Sequence, residues 1–231
     1  MHTRTAVVTG ASRGIGRAIA KRLATDGYNV VAAARSGREL ATLVDEIGRE
    51  GGTARHVVVD VADPASVERA FAGVEADVLV NNAGVGYLKP FTELTPEEWR
   101  AMVDVNFNAL YYVTRCFLPG MLARGVGDVV TIGSLAGRNA LVGGSCYSAT
   151  KYAVVGFTES LMLEVRDRGV RVSVVMPGSV ATEFSSRDRR SDASWKLTPE
   201  QVADSVAHIL NAPRSANVSR VEIRPARPKK G

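Results

Sequence analysis

Thr5-Ala6-Val7-Val8-Thr9-Gly10-Ala11-Ser12-Arg13-Gly14-Ile15-Gly16 decides how the rest of the chain is read. Thr5–Thr9 is a short β-branched, apolar run of strand length. Ile15–Asp26 follows with helical periodicity and is closed by Gly27. Between them lies a glycine loop with the spacing Gly-x-x-x-Gly-x-Gly. Glycines at such a turn let the backbone approach a pyrophosphate, and the helix start supplies free N–H groups and positive potential. The same residues also suit a tight structural turn. The spacing is not the common Gly-x-Gly-x-x-Gly, and no P-loop lysine is present, which argues against an NTPase.

Outward from this unit, strand-length apolar runs alternate with helix-period segments. Asn29–Ala34, Arg55–Asp60, Asp77–Asn81, Asp128–Ile132, Arg171–Met176 and Ser219–Arg224 read as strands. Arg38–Glu50 reads as a helix ended by Gly51-Gly52. Asp63-Pro64 opens a short one, with Asp as N-cap and Pro at the first position. Thr95-Pro96-Glu97-Glu98 is a capping box opening a long helix toward Ala123. Ser145–Arg168 is a second long helix, and Thr198-Pro199-Glu200-Gln201 caps a last one to Leu210. The pattern predicts an α/β fold over residues 1–231: one domain, with a parallel sheet of about seven strands, helices on both faces and right-handed crossovers. Ligands of such sheets sit outside the carboxyl ends of the strands. The unusual residues fall there: Gly10, Arg35, Asp60, Asn81, Ser134 and Pro177 each follow or end a strand.

Chemistry concentrates between Ser134 and Lys151. Tyr147 and Lys151 are four apart in a helix, hence on one face. A phenol with an ordinary pKa near ~10 is a poor acid or base at neutral pH, and an adjacent ammonium lowers that pKa. Such a pair suits carbonyl reduction and alcohol oxidation. Six Tyr and six Lys would give about 0.16 such pairs by chance, so the pair gains weight from its company. Ser134, thirteen residues earlier, either caps a turn before Gly137 or joins Tyr147 as an active-site serine. Cys146 has no basic neighbour and reads as a small packed residue. Tyr152 has Gly156 rather than Lys four residues on, so it is no rival acid.

Bulk properties exclude other classes. Hydrophobic residues are 45% and charged residues 23% of 231, typical of a globular protein. No apolar run reaches the ~18 residues of a membrane span, and the strand starting at Thr5 leaves no room for a signal peptide. Cys116 and Cys146 are too few for a disulfide framework, and a reduced cytoplasmic setting fits. His2, His56 and His208 lack ligand spacing, so no metal site is expected. The net charge of +5 has no run of five like charges, and aromatics are 6%, which favours a solvated basic surface over a nucleic-acid binder.

With the glycine loop, Asn81-Asn82-Ala83-Gly84 and Tyr147-x-x-x-Lys151 in this order, the chain resembles the short-chain dehydrogenase/reductase family from Thr5 to about Thr182. The resemblance implies a three-layer, doubly wound Rossmann sheet and a dinucleotide cofactor. It assigns to that cofactor Gly10, Ser12, Gly14, Ile15, Gly16, Asp60, Val61, Asn82, Ala83, Gly84, Tyr147, Lys151, Pro177, Gly178, Val180 and Thr182. The three glycines would line the pyrophosphate, Asp60 and Val61 approach the adenine, and Pro177, Gly178 and Thr182 border the carboxamide. Tyr147 would be the acid/base, and Lys151 would hold the ribose and lower the Tyr147 pKa. Ser134 would bond the substrate oxygen, and Asn106 hold a water in a proton relay. Asn106 otherwise reads as a solvent-facing helix residue, and Asn81 as purely structural.

Charge decides between the cofactors. An NAD site puts a carboxylate near the end of the second strand. Here that strand ends Ala32-Ala33-Ala34-Arg35, and Arg13 lies in the facing loop. Two guanidiniums suit a 2′-phosphate, although they also read as two surface arginines. NADP(H) is the expected cofactor, in a carbonyl reductase reversible as an alcohol dehydrogenase. The competing expectation is a dinucleotide-binding redox sensor without turnover. Apolar residues around both long helices (Val103, Val105, Phe107, Leu110; Val154, Val155, Phe157, Leu161, Met162) suggest a homo-oligomer, tetramer or dimer. The polar segment Thr182–Lys196, with Arg187, Arg189 and Arg190, is expected to close over the nicotinamide.

Overall fold

A computed structural model describes residues 3–182, 184 and 193–227. Seven parallel strands form one sheet: β1 (Thr5–Thr9), β2 (Asn29–Ala34), β3 (Thr53–Val58), β4 (Val78–Asn81), β5 (Gly127–Ile132), β6 (Val170–Pro177) and β7 (Arg220–Ile223). Their spatial order is β3-β2-β1-β4-β5-β6-β7, so the winding reverses between β1 and β4. The helices between them are α1 (Gly14–Thr25), α2 (Gly37–Arg49), α3 (Pro64–Phe71), α4 (Pro96–Val103), α5 (Ala109–Arg124), α6 (Ser145–Val165) and α7 (Pro199–Asn211). The local signals act as expected. Asp63 caps α3 through the Ala65 N–H, and both capping boxes form, at Thr95/Glu98 and Thr198/Gln201.

Period-two alternation sends side chains of each central strand to opposite faces. Ala6, Val8, Val30 and Ala32 pack under α1, α2 and α7, against Ile19, Leu23, Leu40, Leu43, Val206 and Ile209. Val7, Val31, Leu79, Val129 and Val172 face α3, α5 and α6, against Phe71, Val113, Phe117, Met121 and Leu161. Two apolar layers on one sheet fix the central strands rigidly, and with them the loops at their carboxyl ends.

Two elements differ from the sequence expectation. β3 starts at Thr53, two residues early, because pairing with β2 begins at Asn29↔Thr53. As an edge strand it exposes much of its length, so no apolar run marks its start. The long helix after Thr95 is interrupted by a π-helical turn at Asp104–Asn108, which separates α4 from α5. Nothing in the apolar periodicity announces it.

At the amino ends of the strands, the carboxylate of Asp128 is 3% exposed and meets three guanidiniums. Arg171 Nε donates at 2.7 Å, Arg214 Nη1 at 3.0 Å and Arg4 Nη2 at 2.5 Å. The remaining donors of Arg171 reach the carbonyls of Leu210 and Ala212, tying the end of α7 to the sheet. A buried carboxylate is tolerated only with such pairing.

Candidate active site

The loop from Gly10 to Gly14 leaves β1 in two left-handed steps, Gly10 at φ 66° and Gly14 at φ 55°. Gly16 is needed for closeness. A Cβ there would overlap the Gly10 carbonyl oxygen and the Asn82 side-chain nitrogen. The Ala11 N–H bonds the Ala33 carbonyl at 3.1 Å, joining the loop to the end of β2. α1 then starts at Gly14 with no side-chain cap and no acidic residue in its first turn. Its first N–H groups are therefore available to an anion.

Thr9, not singled out in the sequence, is the hub beneath this loop. Its buried hydroxyl donates to the Val80 carbonyl (3.3 Å) and accepts from the N–H groups of Asn82 (3.0 Å) and Ala83 (3.1 Å). The Asn82 amide donates back to the carbonyls of Thr9 (2.9 Å) and Gly10 (3.3 Å). Asn82 thus clamps the glycine loop across the point where the sheet reverses its winding. Asn81 is structural: buried, it donates to the Thr114 hydroxyl at 3.0 Å. Arg35 follows β2 directly and is exposed, as is Arg13 on the neighbouring loop. Asp60 turns the chain after β3 by accepting from the Ala62 N–H at 3.0 Å, and Val61 beside it is buried.

Ser134 lies just beyond β5 and does both things its position allowed. Its Oγ accepts from the Ala136 N–H at 3.1 Å, and its hydroxyl is near enough to the Tyr147 phenol to act on its pKa. Gly137, three residues on, is a second position where only glycine fits. A Cβ there would lie 2.5 Å from the Lys151 carbonyl oxygen, so the turn after β5 presses directly on α6. That contact holds Ser134 against Tyr147. Cys146 is buried, with its thiol raised by burial, and Tyr152 is exposed and bonds the Arg138 carbonyl.

Burial governs the electrostatics. Desolvation pushes the Tyr147 phenol above its ordinary pKa, and the Ser134 hydroxyl pulls it back part of the way. Lys151 is 5% exposed, and desolvation brings its pKa from 10.5 down to about 8. Its ammonium donates to the Ile132 carbonyl at 3.2 Å and stands 5.8 Å from the Tyr147 ring centroid. The sequence expectation was a phenol lowered by its ammonium. In this geometry both groups are desolvated, the Lys151 ammonium stands over the ring and bonds the Ile132 carbonyl, and Ser134 is the group that pulls the phenol pKa down.

Asn106 sits in the π-helical turn, 2% exposed rather than facing solvent. Its Oδ1 accepts from the Val85 N–H (2.8 Å), and its amide donates to the Val85 carbonyl (2.9 Å) and the Thr150 hydroxyl (3.1 Å). It pins the loop that leaves β4 to α6, one residue from Lys151. A Cβ on Gly84 would lie 3.4 Å from Asn106 Oδ1 and 3.9 Å from Lys151 Nζ, so Gly84 is beside both.

Beyond β6 the Gly178 N–H bonds the Ile223 carbonyl at 2.8 Å, and Val180 bridges to Leu197. Thr182 packs its methyl toward Gly14, bringing this segment over the glycine loop. Phe184 stacks obliquely on Tyr147, with ring centroids 5.8 Å apart. Arg187, Arg189 and Arg190 lie outside the described residues. Among the described residues no group of three metal-ligating side chains occurs, and no helix is long and apolar enough to cross a membrane. A groove of about 320 Å³ lies at the opposite end of the sheet, lined by Arg166, Arg171, Arg214 and Asn217, and contains none of these groups.

A model of the family described as short chain dehydrogenase matches residues 4–193. The NADP-dependent 3-hydroxy acid dehydrogenase YdfG of Salmonella typhi is 37% identical over 235 residues, covering 95% of this chain and 94% of its own. An alcohol dehydrogenase from Thermococcus sibiricus, solved with 5-hydroxy-NADP, superposes with a TM-score of 0.91 at 32% identity, over 99% and 100% of the two chains. Serine dehydrogenase from Escherichia coli gives a TM-score of 0.84 at 32% identity, over 95% and 96%.

Proposed function

The chain belongs to the short chain dehydrogenase family, and from that premise we propose that it is an NADP(H)-dependent oxidoreductase interconverting a carbonyl group and its alcohol. The observation that carries the reading is the meeting of the Ser134 hydroxyl, the Tyr147 phenol and the desolvated Lys151 ammonium beyond β5. A dinucleotide-binding sensor without turnover has no use for an acid/base set so assembled.

The residues fit the dinucleotide. The uncapped start of α1 and the loop from Gly10 to Gly16 would receive the pyrophosphate. Arg13 and Arg35, at the ends of adjacent elements, would flank a ribose 2′-phosphate, with Asp60 and Val61 at the adenine. Lys151, with one hydrogen bond to Ile132, has donors left for the nicotinamide ribose. Pro177, Gly178, Val180 and Thr182 would border the carboxamide. When bound, the nicotinamide would supply a hydride to a carbonyl carbon, or accept one from an alcohol. Ser134 and Tyr147 then stabilise the negative charge that grows on the carbonyl oxygen, and Tyr147 delivers the proton. Asn106 holds Val85 and Thr150 in register beside Lys151, and the second lone pair of its Oδ1 would take the relay water.

The relatives named for 3-hydroxy acids and serine direct the choice of first substrates. The test is a panel of 3-hydroxy acids, serine, ketones and aldehydes with NADP(H) and NAD(H) in parallel, followed by nicotinamide absorbance. Turnover with NADP(H) is expected. Tight dinucleotide binding with no turnover across the panel would favour the sensor and refute the proposal.

A further inference from the structure

Tyr147 belongs to a small apolar cluster with Met102, Ala136 and Cys146, against which Val85, Leu88 and Leu94 pack. Its ring also meets Phe184. The two rings are 5.8 Å apart at 59°, and Phe184 is 39% exposed, so it touches the tyrosine and still presents surface to solvent. Room for this ring comes from Gly86. A Cβ there would stand 2.5 Å from Phe184 Cε1, 3.0 Å from its Cζ and 3.4 Å from Tyr147 Cδ2. Gly86, Phe184 and Tyr147 therefore form a three-way contact in which one methyl group has no space. Gly86 takes no left-handed backbone conformation, so its lack of a side chain, and not its φ, is what the site uses.

We propose that Phe184, seated in the space that Gly86 leaves open beside Tyr147, is a specificity-determining residue that sets the size of the group a substrate carbonyl carries on that side. The inference rests on Tyr147 being the proton donor. A carbonyl oxygen held by Ser134 and Tyr147 keeps its carbon close to the Tyr147 ring, so the substituent on the Phe184 side meets the exposed part of that ring. A methyl or hydroxymethyl group passes there. A phenyl group competes with the Phe184 ring for the same volume. The preferred class is a carbonyl with one small substituent, whatever the second one is.

The test compares 2,3-butanedione, whose carbonyls each carry a methyl group, with benzil, whose carbonyls carry only phenyl and benzoyl groups, as substrates for NADPH oxidation by the full chain. Phe184→Ala should raise the kcat/KM ratio of the phenyl compound to the small one by about tenfold or more, the range that pocket contacts of this size command. Its NADPH affinity should stay at the unmodified level, since Phe184 touches Tyr147 on the substrate side. Gly86→Ala should change the same ratio by about fivefold in the unmodified chain, by displacing the ring, and by less than about twofold in the Phe184→Ala background, because contacting residues are non-additive. An unchanged ratio in Phe184→Ala, or an equal Gly86→Ala effect in both backgrounds, overturns the inference alone. Absence of turnover with every dione and both dinucleotides overturns the oxidoreductase reading, and the inference with it.

Discussion

Replacing Lys151 by methionine should make the protein more stable and less active at once. The ammonium is buried and its pKa falls from 10.5 to about 8. Because the folded pKa lies below the unfolded one, the unfolded chain binds more protons between those values. The resulting penalty on folding is complete below pH 8 and disappears as pH rises toward 10.5. The depression of 2.5 units (10.5 minus 8), at ~1.4 kcal/mol each, amounts to ~3 kcal/mol at pH 7 and ~1.4 kcal/mol at pH 9.5. Methionine keeps the length without the charge and gives up the bond to Ile132, worth about 1 kcal/mol. The net gain is then ~2 kcal/mol at pH 7, or roughly 4–8 °C in Tm for a chain of this size, and close to zero at pH 9.5. Thermal unfolding of both proteins without dinucleotide, at equal protomer concentration and at pH 7 and 9.5, measures this directly. A variant no more stable than the parent at pH 7, or a difference that ignores pH, refutes the argument from desolvation.

Other outcomes follow from the same geometry. NADPH should bind at least roughly tenfold more tightly than NADH, since each charge-assisted bond to the 2′-phosphate is worth ~1.5–3 kcal/mol; Arg35→Asp should erase or invert the preference in a fluorescence titration, and equal affinities in the unmodified chain would contradict the proposed roles of Arg13 and Arg35. Asp128→Ala leaves Arg171 buried and unpaired, and urea unfolding should show a loss of ~3–5 kcal/mol; a loss under ~1 kcal/mol would mean that the three-arginine cluster is not what holds the strand ends. Tyr111, Tyr152 and Leu163 leave apolar area exposed on α5 and α6, so light scattering should show an oligomer, a tetramer or dimer, and a monomer at micromolar concentration would contradict that proposal.

The fold was legible because its signals are local and repeated. Short apolar runs of strand length alternate with helix-period segments along the chain, and the central strands are buried on both faces. β3 was misplaced by two residues because an edge strand half in solvent carries no apolar run. The π-helical turn at Asn106 was not legible, since it changes one helical turn and no periodicity. At the site, Ser134, Tyr147 and Lys151 were found by spacing and do converge. Thr9 was passed over because one strand threonine looks like any other; only the sheet order brings Asn82 and Ala83 onto its hydroxyl. The Asp128 cluster joins residues up to 124 apart in sequence, beyond any local pattern. The direction of the Tyr147 pKa was missed for a related reason. Spacing puts Lys151 on the same helix face, but burial, and which acceptor the ammonium finds, are tertiary facts.

The central claim is that Tyr147 gives the proton when a carbonyl is reduced, and Tyr147→Phe tests it most directly. The change removes one oxygen and leaves the ring packed between Cys146 and Phe184. Rapid-mixing, single-turnover oxidation of bound NADPH by a carbonyl substrate isolates the chemical step. Tyr147→Phe should slow that step by ~10²-fold or more at unchanged NADPH affinity, while Tyr152→Phe, whose hydroxyl bonds only the exposed Arg138 carbonyl, should match the parent. A Tyr147→Phe protein that oxidises NADPH at the parent rate would show that the proton comes from elsewhere and that the account of this site is wrong.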